Sequence, residues 1–213
     1  MKAAVALMFA LVSLPAGAWG ASPWASAIFP PGTPGGAAAF RRVQPGPAME
    51  RSQSPVREAR LLAAQCAVTS YAYGIPPHLL LAIAITESGR HGAPWPWTLD
   101  VDGQPAYLAS RRALMQAAED ALRTGHTRID IGPMQVDWRY HGAMFPSLAA
   151  VTRPFMNIAA AGHILARLHA RWGHWWLAVA AYHSATPKLG RPYMWRVYRV
   201  YARLCRMHPA RVF

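Results

Sequence analysis

Residues 79–89 read Leu79-Leu80-Leu81-Ala82-Ile83-Ala84-Ile85-Thr86-Glu87-Ser88-Gly89. This apolar run follows Pro76-Pro77 and predicts a helix from His78 to about Ser88, ended by Gly89. A helix that is apolar all round must be buried nearly all round, so other helices have to surround it. One precedes it: Ser54 is an N-cap with Pro55 at the first helical position, and the pattern continues to about Tyr73 before Gly74. Downstream, Ser110 caps a third helix ending near Gly125. Three more follow at roughly Pro154–Trp172, His174–Ser184 and Pro192–Met207. Between the second and fourth helices, the segment Trp97–Leu108 holds Asp102-Gly103 between apolar stretches, the composition of a tight hairpin. Arg128–Ile131 reads as a short strand leading into Gly132-Pro133-Met134-Gln135. The expected fold class is mainly α (α+β), a helical domain with one small β-hairpin excursion.

The flanks read differently. Lys2, the apolar stretch Ala3–Leu14 and the small residues Ala16-Gly17-Ala18 describe an export signal over residues 1–18, too short to span a bilayer. Cleavage is expected after Ala18, with Ala21 as the second site. Residues 19–53 hold six Pro and five Gly, the composition of a flexible linker. The globular domain is therefore placed at residues 54–213 and the protein in the periplasm. With 53% hydrophobic and 15% charged residues, the chain can bury a core and is not globally disordered. Twenty-two basic residues against nine acidic ones give a net charge of +13, which favours a polyanionic partner. In an oxidising compartment Cys66 and Cys205, near opposite ends of the domain, are candidates for a disulfide. The alternative is two separate buried thiols.

Glu87 is the exception in the buried helix. Apolar surroundings and the negative end of the helix dipole both penalise its ionised form. A carboxyl so placed has a raised pKa and serves as a general acid near neutral pH. A solvent-facing Glu at a frayed helix end would have no such property.

Four elements occur in order: Glu87-Ser88, Gly132-Pro133-Met134-Gln135, Asn157 opening the Ile158–Arg171 helix, and Ala180-Ala181-Tyr182. In that order they resemble the lytic transglycosylase domain of the lysozyme-like superfamily, over roughly residues 58 to 200. The segments Trp95–Gly103 and Asp130–Trp138 look most like the small specialised transglycosylases that accompany conjugative transfer, pilus or secretion machines. The resemblance implies a lysozyme-like fold and assigns Glu87 as catalytic acid/base. It makes Ser88 the residue that steadies that carboxylate, Met134 and Gln135 cleft residues, and Tyr182 the tyrosine near the glutamate. Three departures stand out: Pro133 for Leu, Asp137 for Asn, and His183-Ser184 where Asn and a small residue are expected. His183 can still bond a sugar, with a different reach and charge.

The implied reaction cleaves the bond between N-acetylmuramic acid and N-acetylglucosamine in peptidoglycan, leaving a 1,6-anhydromuramyl end without water. Ordinary glycosidases pair two carboxylates. Among the few acids here, Asp130 and Asp137, flanking the Gly132–Gln135 turn, are the only ones placed to supply the second. A lysozyme-type hydrolase using either is the alternative enzyme, and a non-catalytic peptidoglycan-binding scaffold is the alternative outside catalysis. Trp97 and Trp138, beside the motifs, are the better candidates for sugar stacking. No metal-ligand spacing appears among the histidines, and no cofactor or nucleic-acid motif is present. The expected partners are glycan strands and components of an envelope complex. Arg196, Arg199, Arg203 and Arg206 form a stripe on the last helix that reads as a solvated face or as a contact for anionic lipid, acidic glycan or a partner protein.

Overall fold

The computed structural model describes residues 55–207. The expected export signal, the linker and the Ser54 cap lie outside the described residues. Helix α1 (Pro55–Ala72) leads to α2 (Leu79–Ser88). A short ribbon, β1 (Gly89–Arg90) and β2 (Ala93–Pro94), follows, then β3 (Thr98–Val101), β4 (Gln104–Tyr107) and α3 (Arg111–Arg123). Next come β5 (Ile129–Ile131), β6 (Val136–Asp137), α4 (Trp138–His141), a 3-10 turn at Gly142–Met144 and α5 (Leu148–Val151). Three long helices close the fold: α6 (Pro154–Trp172), α7 (Trp175–His183) and α8 (Pro187–Met207). The protein is mainly helical with a small antiparallel sheet.

The centre is α2, flanked by α1, α8 and the β1–β2 ribbon. Its Leu79, Leu80, Ala82, Ile83 and Ala84 are buried. Each fully buried Leu or Ile here contributes about 1.5–3 kcal/mol by leaving water. No side chain caps its N-terminus, and His78 enters through a left-handed conformation (φ 67°). Tertiary burial therefore holds this ten-residue helix, which is too short to be stable alone. Around it, α6 packs on α1 and α7, and α8 packs on α7 and α2.

The larger sheet has strand order β4-β3-β5-β6, antiparallel throughout. As expected, β3 and β4 form a hairpin, turned by Asp102 (φ 55°) and Gly103 (φ 86°), both in the positive-φ region that this tight turn requires. The register pairs Leu99 with Ile131 and Ile131 with Val136, all buried. One residue along, it pairs Asp100 with Asp130 and Asp130 with Asp137. Because side chains alternate faces along a strand, the apolar row seals the core and the three aspartates share the opposite face.

Two expectations need correction. Helix α8 begins at Pro187, so Pro192 lies inside it rather than at its start. Pro187 takes the first turn, while Pro192 is exposed, where the carbonyl it cannot bond is open to water. The early start depends on Gly190, since a Cβ there would come within 2.5 Å of the carbonyl oxygen of Ser184, the residue that ends α7. The expected Cys66–Cys205 bridge is absent, and both thiols are free. Cys66 is turned into the core, where burial pushes its pKa up to about 12. Cys205 is half-buried on α8, and the two cysteine-bearing helices make no substantial packing contact. Reducing agent is accordingly expected to leave the melting temperature unchanged; a drop of several degrees would contradict the free-thiol arrangement.

Candidate active site

Glu87 occupies the last turn of α2, as the apolar run predicts. The residue is half-buried. Tyr193, buried in α8, donates its hydroxyl to Glu87 Oε1 at 2.5 Å. Burial raises the Glu87 pKa from 4.5 to about 7, against the opposing pull of the Tyr193 hydrogen bond and the Arg196 charge. At neutral pH the carboxyl thus holds its proton about half the time, the condition suited to a general acid.

Tyr193 is itself held from two neighbours. The His183 ring stacks on it with centroids 4.6 Å apart and planes at 10°. The Arg196 guanidinium lies 5.6 Å from its ring centroid. Burial and the Arg196 charge lower the His183 pKa, so this histidine is neutral at pH 7. Arg196 therefore belongs to the site as much as to an outer arginine stripe.

The Gly132–Gln135 turn forms the β side of the site and is pinned from three helices. Asn157, fully buried in the first turn of α6, accepts from the Met134 N–H at 3.0 Å and donates to the carbonyls of Ile131 (2.8 Å) and Val151 (3.3 Å). Ser88 Oγ lies 2.9 Å from the Pro133 carbonyl oxygen and 3.0 Å from that of Ala84. Tyr182 in α7 donates its hydroxyl to the Met134 carbonyl at 2.9 Å. Only glycine fits at position 132: its φ is 81°, and a Cβ would come within 2.8 Å of the Asn157 carboxamide. Gln135 also sits at positive φ (47°), with Nε2 donating back to the Gly132 carbonyl at 2.9 Å. Pro133 has no N–H to lose from this network, since only its carbonyl is used.

The network revises two assignments and adds a second tyrosine. Ser88 ties the turn to α2 and does not bond the Glu87 carboxyl. The Met134 side chain is fully buried, so it is core and not cleft lining. Tyr182 bonds the turn and lies near enough to Glu87 to feel its charge, as expected, while the hydroxyl that donates to the glutamate is that of Tyr193. Tyr193 occupies a buried position of the last helix that reads in the sequence as ordinary core. The signal that could have found it is its hydroxyl, because a buried tyrosine needs a hydrogen-bond partner.

Of the two candidate second carboxylates, Asp137 is engaged as the N-cap of α4, accepting from the Arg139 N–H at 2.8 Å and the Tyr140 N–H at 3.3 Å. The Asp130 carboxylate accepts no hydrogen bond among the described residues, although the residue's backbone carbonyl accepts from Gln135 Nε2 at 3.4 Å. Its pKa is raised to about 7 by burial, then by the charges of Asp137, Asp100 and Glu87. Asp130 and Glu87 thus feel each other across the site. Asp100 accepts from the Gly103 N–H at 2.6 Å, and Asp102 pairs with His126 and Arg128 at the hairpin tip. Trp97 and Trp138 are half-buried and pack against the core, Trp138 beside Phe145. Among the described residues no group of three or more His, Cys, Asp or Glu side chains is arranged to hold a metal ion.

Two measurements check this site. The chain has four glutamates, Glu50, Glu58, Glu87 and Glu119, so carboxyl-13C NMR of glutamate-labelled protein resolves them individually. One resonance is expected to titrate near pH 7 and to vanish in Glu87→Gln. In Tyr193→Phe it should move higher, because the lost hydrogen bond favoured the carboxylate; a shift downward would refute the arrangement. Stability follows the same linkage. A folded pKa above the unfolded one gives stability that is full below about pH 4.5 and lost as pH rises through about 7. Glu87→Gln should therefore melt higher than wild type at pH 8, by the equivalent of about 1–3 kcal/mol. At pH 5 the two should be close.

No family model, curated protein or solved structure matches this chain.

Proposed function

We propose that this protein is a peptidoglycan lytic transglycosylase in which Glu87 performs both proton transfers. The observation that carries the reading is the enclosed Glu87 carboxyl, with a pKa near 7 and a buried phenol donating to it. In the first step the protonated Glu87 gives its proton to the glycosidic oxygen between N-acetylmuramic acid and N-acetylglucosamine as that bond breaks. The muramyl N-acetyl group assists at the anomeric carbon. The Tyr193 hydroxyl then stabilises the carboxylate that Glu87 becomes, through a charge-assisted hydrogen bond. In the second step this carboxylate takes the proton of the muramyl 6-hydroxyl as its oxygen closes on the anomeric carbon. The product is a 1,6-anhydromuramyl end. Gln135, with Nε2 held by the Gly132 carbonyl, and His183, stacked on Tyr193, would orient the sugar. The proposed setting is the periplasm, with local wall opening for an envelope-spanning apparatus.

One observation favours a second reading. Asp130, whose pKa is raised in part by the Glu87 charge and whose carboxylate accepts no hydrogen bond among the described residues, is suited to activate a water as a general base. The enzyme would then be a lysozyme-type muramidase.

Mass spectrometry of muropeptides released from purified peptidoglycan separates the two. The transglycosylase produces anhydromuramyl ends, loses activity by at least about a thousandfold in Glu87→Gln, and makes the same product in Asp130→Asn. Reducing ends that disappear in Asp130→Asn would establish hydrolysis instead.

A further inference from the structure

After Asp137 the sequence contains no Asp or Glu. Among the described residues the acids are confined to the first helices, the sheet and the hairpin, whereas the α6–α8 half is uniformly basic. Helix α8 alone carries Lys188, Arg191, Arg196, Arg199, Arg203 and Arg206. At about 100° per residue, Lys188, Arg191, Trp195, Arg199 and Arg206 fall within about 40° of one line along the helix. That line lies opposite the buried Val197 and Leu204, and all five residues are exposed. Trp195, 53% exposed, sits at the centre of the ridge, edge-on to the exposed Tyr198 at 5.5 Å. Arg203 flanks the ridge and, with Tyr198, Arg199 and Arg206, lines an open hollow of about 510 Å³.

From this we infer that the outer face of α8 is a docking surface for an anionic lipid bilayer. Arginine forks match phosphate oxygens, and exposed Trp and Tyr rings favour the headgroup boundary. A helical face carrying both suits the headgroup plane of an anionic bilayer. With no carboxylate on the helix, these cations have no partner of opposite sign on α8 itself. No helix of the described residues is long and apolar enough to cross a membrane, so the contact is peripheral. Tyr193 lies on the buried face of the same helix, opposite the ridge, and Arg196 lies on its flank. Docking therefore sets the Glu87 site about one helix diameter, 10–12 Å, from the lipid surface.

The test is independent of any catalytic activity. The full chain is co-sedimented with vesicles of phosphatidylcholine alone and of phosphatidylcholine mixed with phosphatidylglycerol. Wild type is expected to prefer the anionic vesicles and to be released as salt rises from about 0.1 to 1 M. Arg199→Gln/Arg203→Gln/Arg206→Gln should bind on the order of a hundredfold more weakly, and Trp195→Ser severalfold more weakly. Arg60→Gln/Arg112→Gln/Arg123→Gln, which removes the same charge from α1 and α3, should bind close to wild type. The N-terminal apolar run is common to all variants, and matching melting temperatures show that each is folded. Equal binding to neutral vesicles, or equal loss in both triple variants, would overturn the proposal. Loss of binding to purified peptidoglycan with vesicle binding unchanged would also overturn it, assigning the ridge to acidic glycan.

Discussion

A hydrogen bond between two helices far apart in sequence, Tyr193 to Glu87, organises the site. It can form only because α2 is buried on nearly every side and because α8 packs directly on it. The bond works against the main effect of its surroundings. Burial drives the Glu87 pKa upward, while the phenol and Arg196 pull it back, and the balance falls at about 7. A carboxyl buried without such a donor would hold its proton too firmly to return as a base. One fully in water would have lost its proton at neutral pH. The fold also keeps the protein less stable at alkaline pH than it could be, a cost common at functional sites.

The β excursion completes the site from the other side. Its register sends Leu99, Ile131 and Val136 into the core and lines up Asp100, Asp130 and Asp137 on the opposite face. Asn157, Ser88 and Tyr182 then fasten the intervening turn to α6, α2 and α7. The residues of the four motifs thus act mostly as a scaffold that holds backbone in place. Loss of the Asn157 carboxamide would leave several buried backbone groups unsatisfied, each costing about 1–3 kcal/mol.

Much of this was legible in the sequence. The apolar run 79–85 located the central helix and made Glu87 conspicuous, and Asp102-Gly103 located the hairpin, because these signals are local. Asp137 read as a candidate second carboxylate, since its role as the cap of α4 depends on a four-residue helix with no periodicity of its own. Tyr193 was hidden for the opposite reason: it occupies a correct apolar position, and only the tertiary fold shows that its hydroxyl reaches a carboxylate 106 residues away. The start of α8 was misread because Pro192 looks like a first-turn proline, and the close approach permitted by Gly190 is invisible in one dimension. The cysteines misled in the same way, since compartment argues for a bridge but only packing decides whether two sulfurs meet.

The account stands or falls on Glu87 acting as a proton donor whose pKa is set near neutrality by burial. The direct measurement is the pH dependence of kcat/KM on purified peptidoglycan, for wild type and Tyr193→Phe. The account predicts full activity at acidic pH, falling with an apparent pKa near 7, and a falling limb displaced to higher pH in Tyr193→Phe. Activity that rises through pH 7, or a limb that the substitution leaves in place, would contradict it.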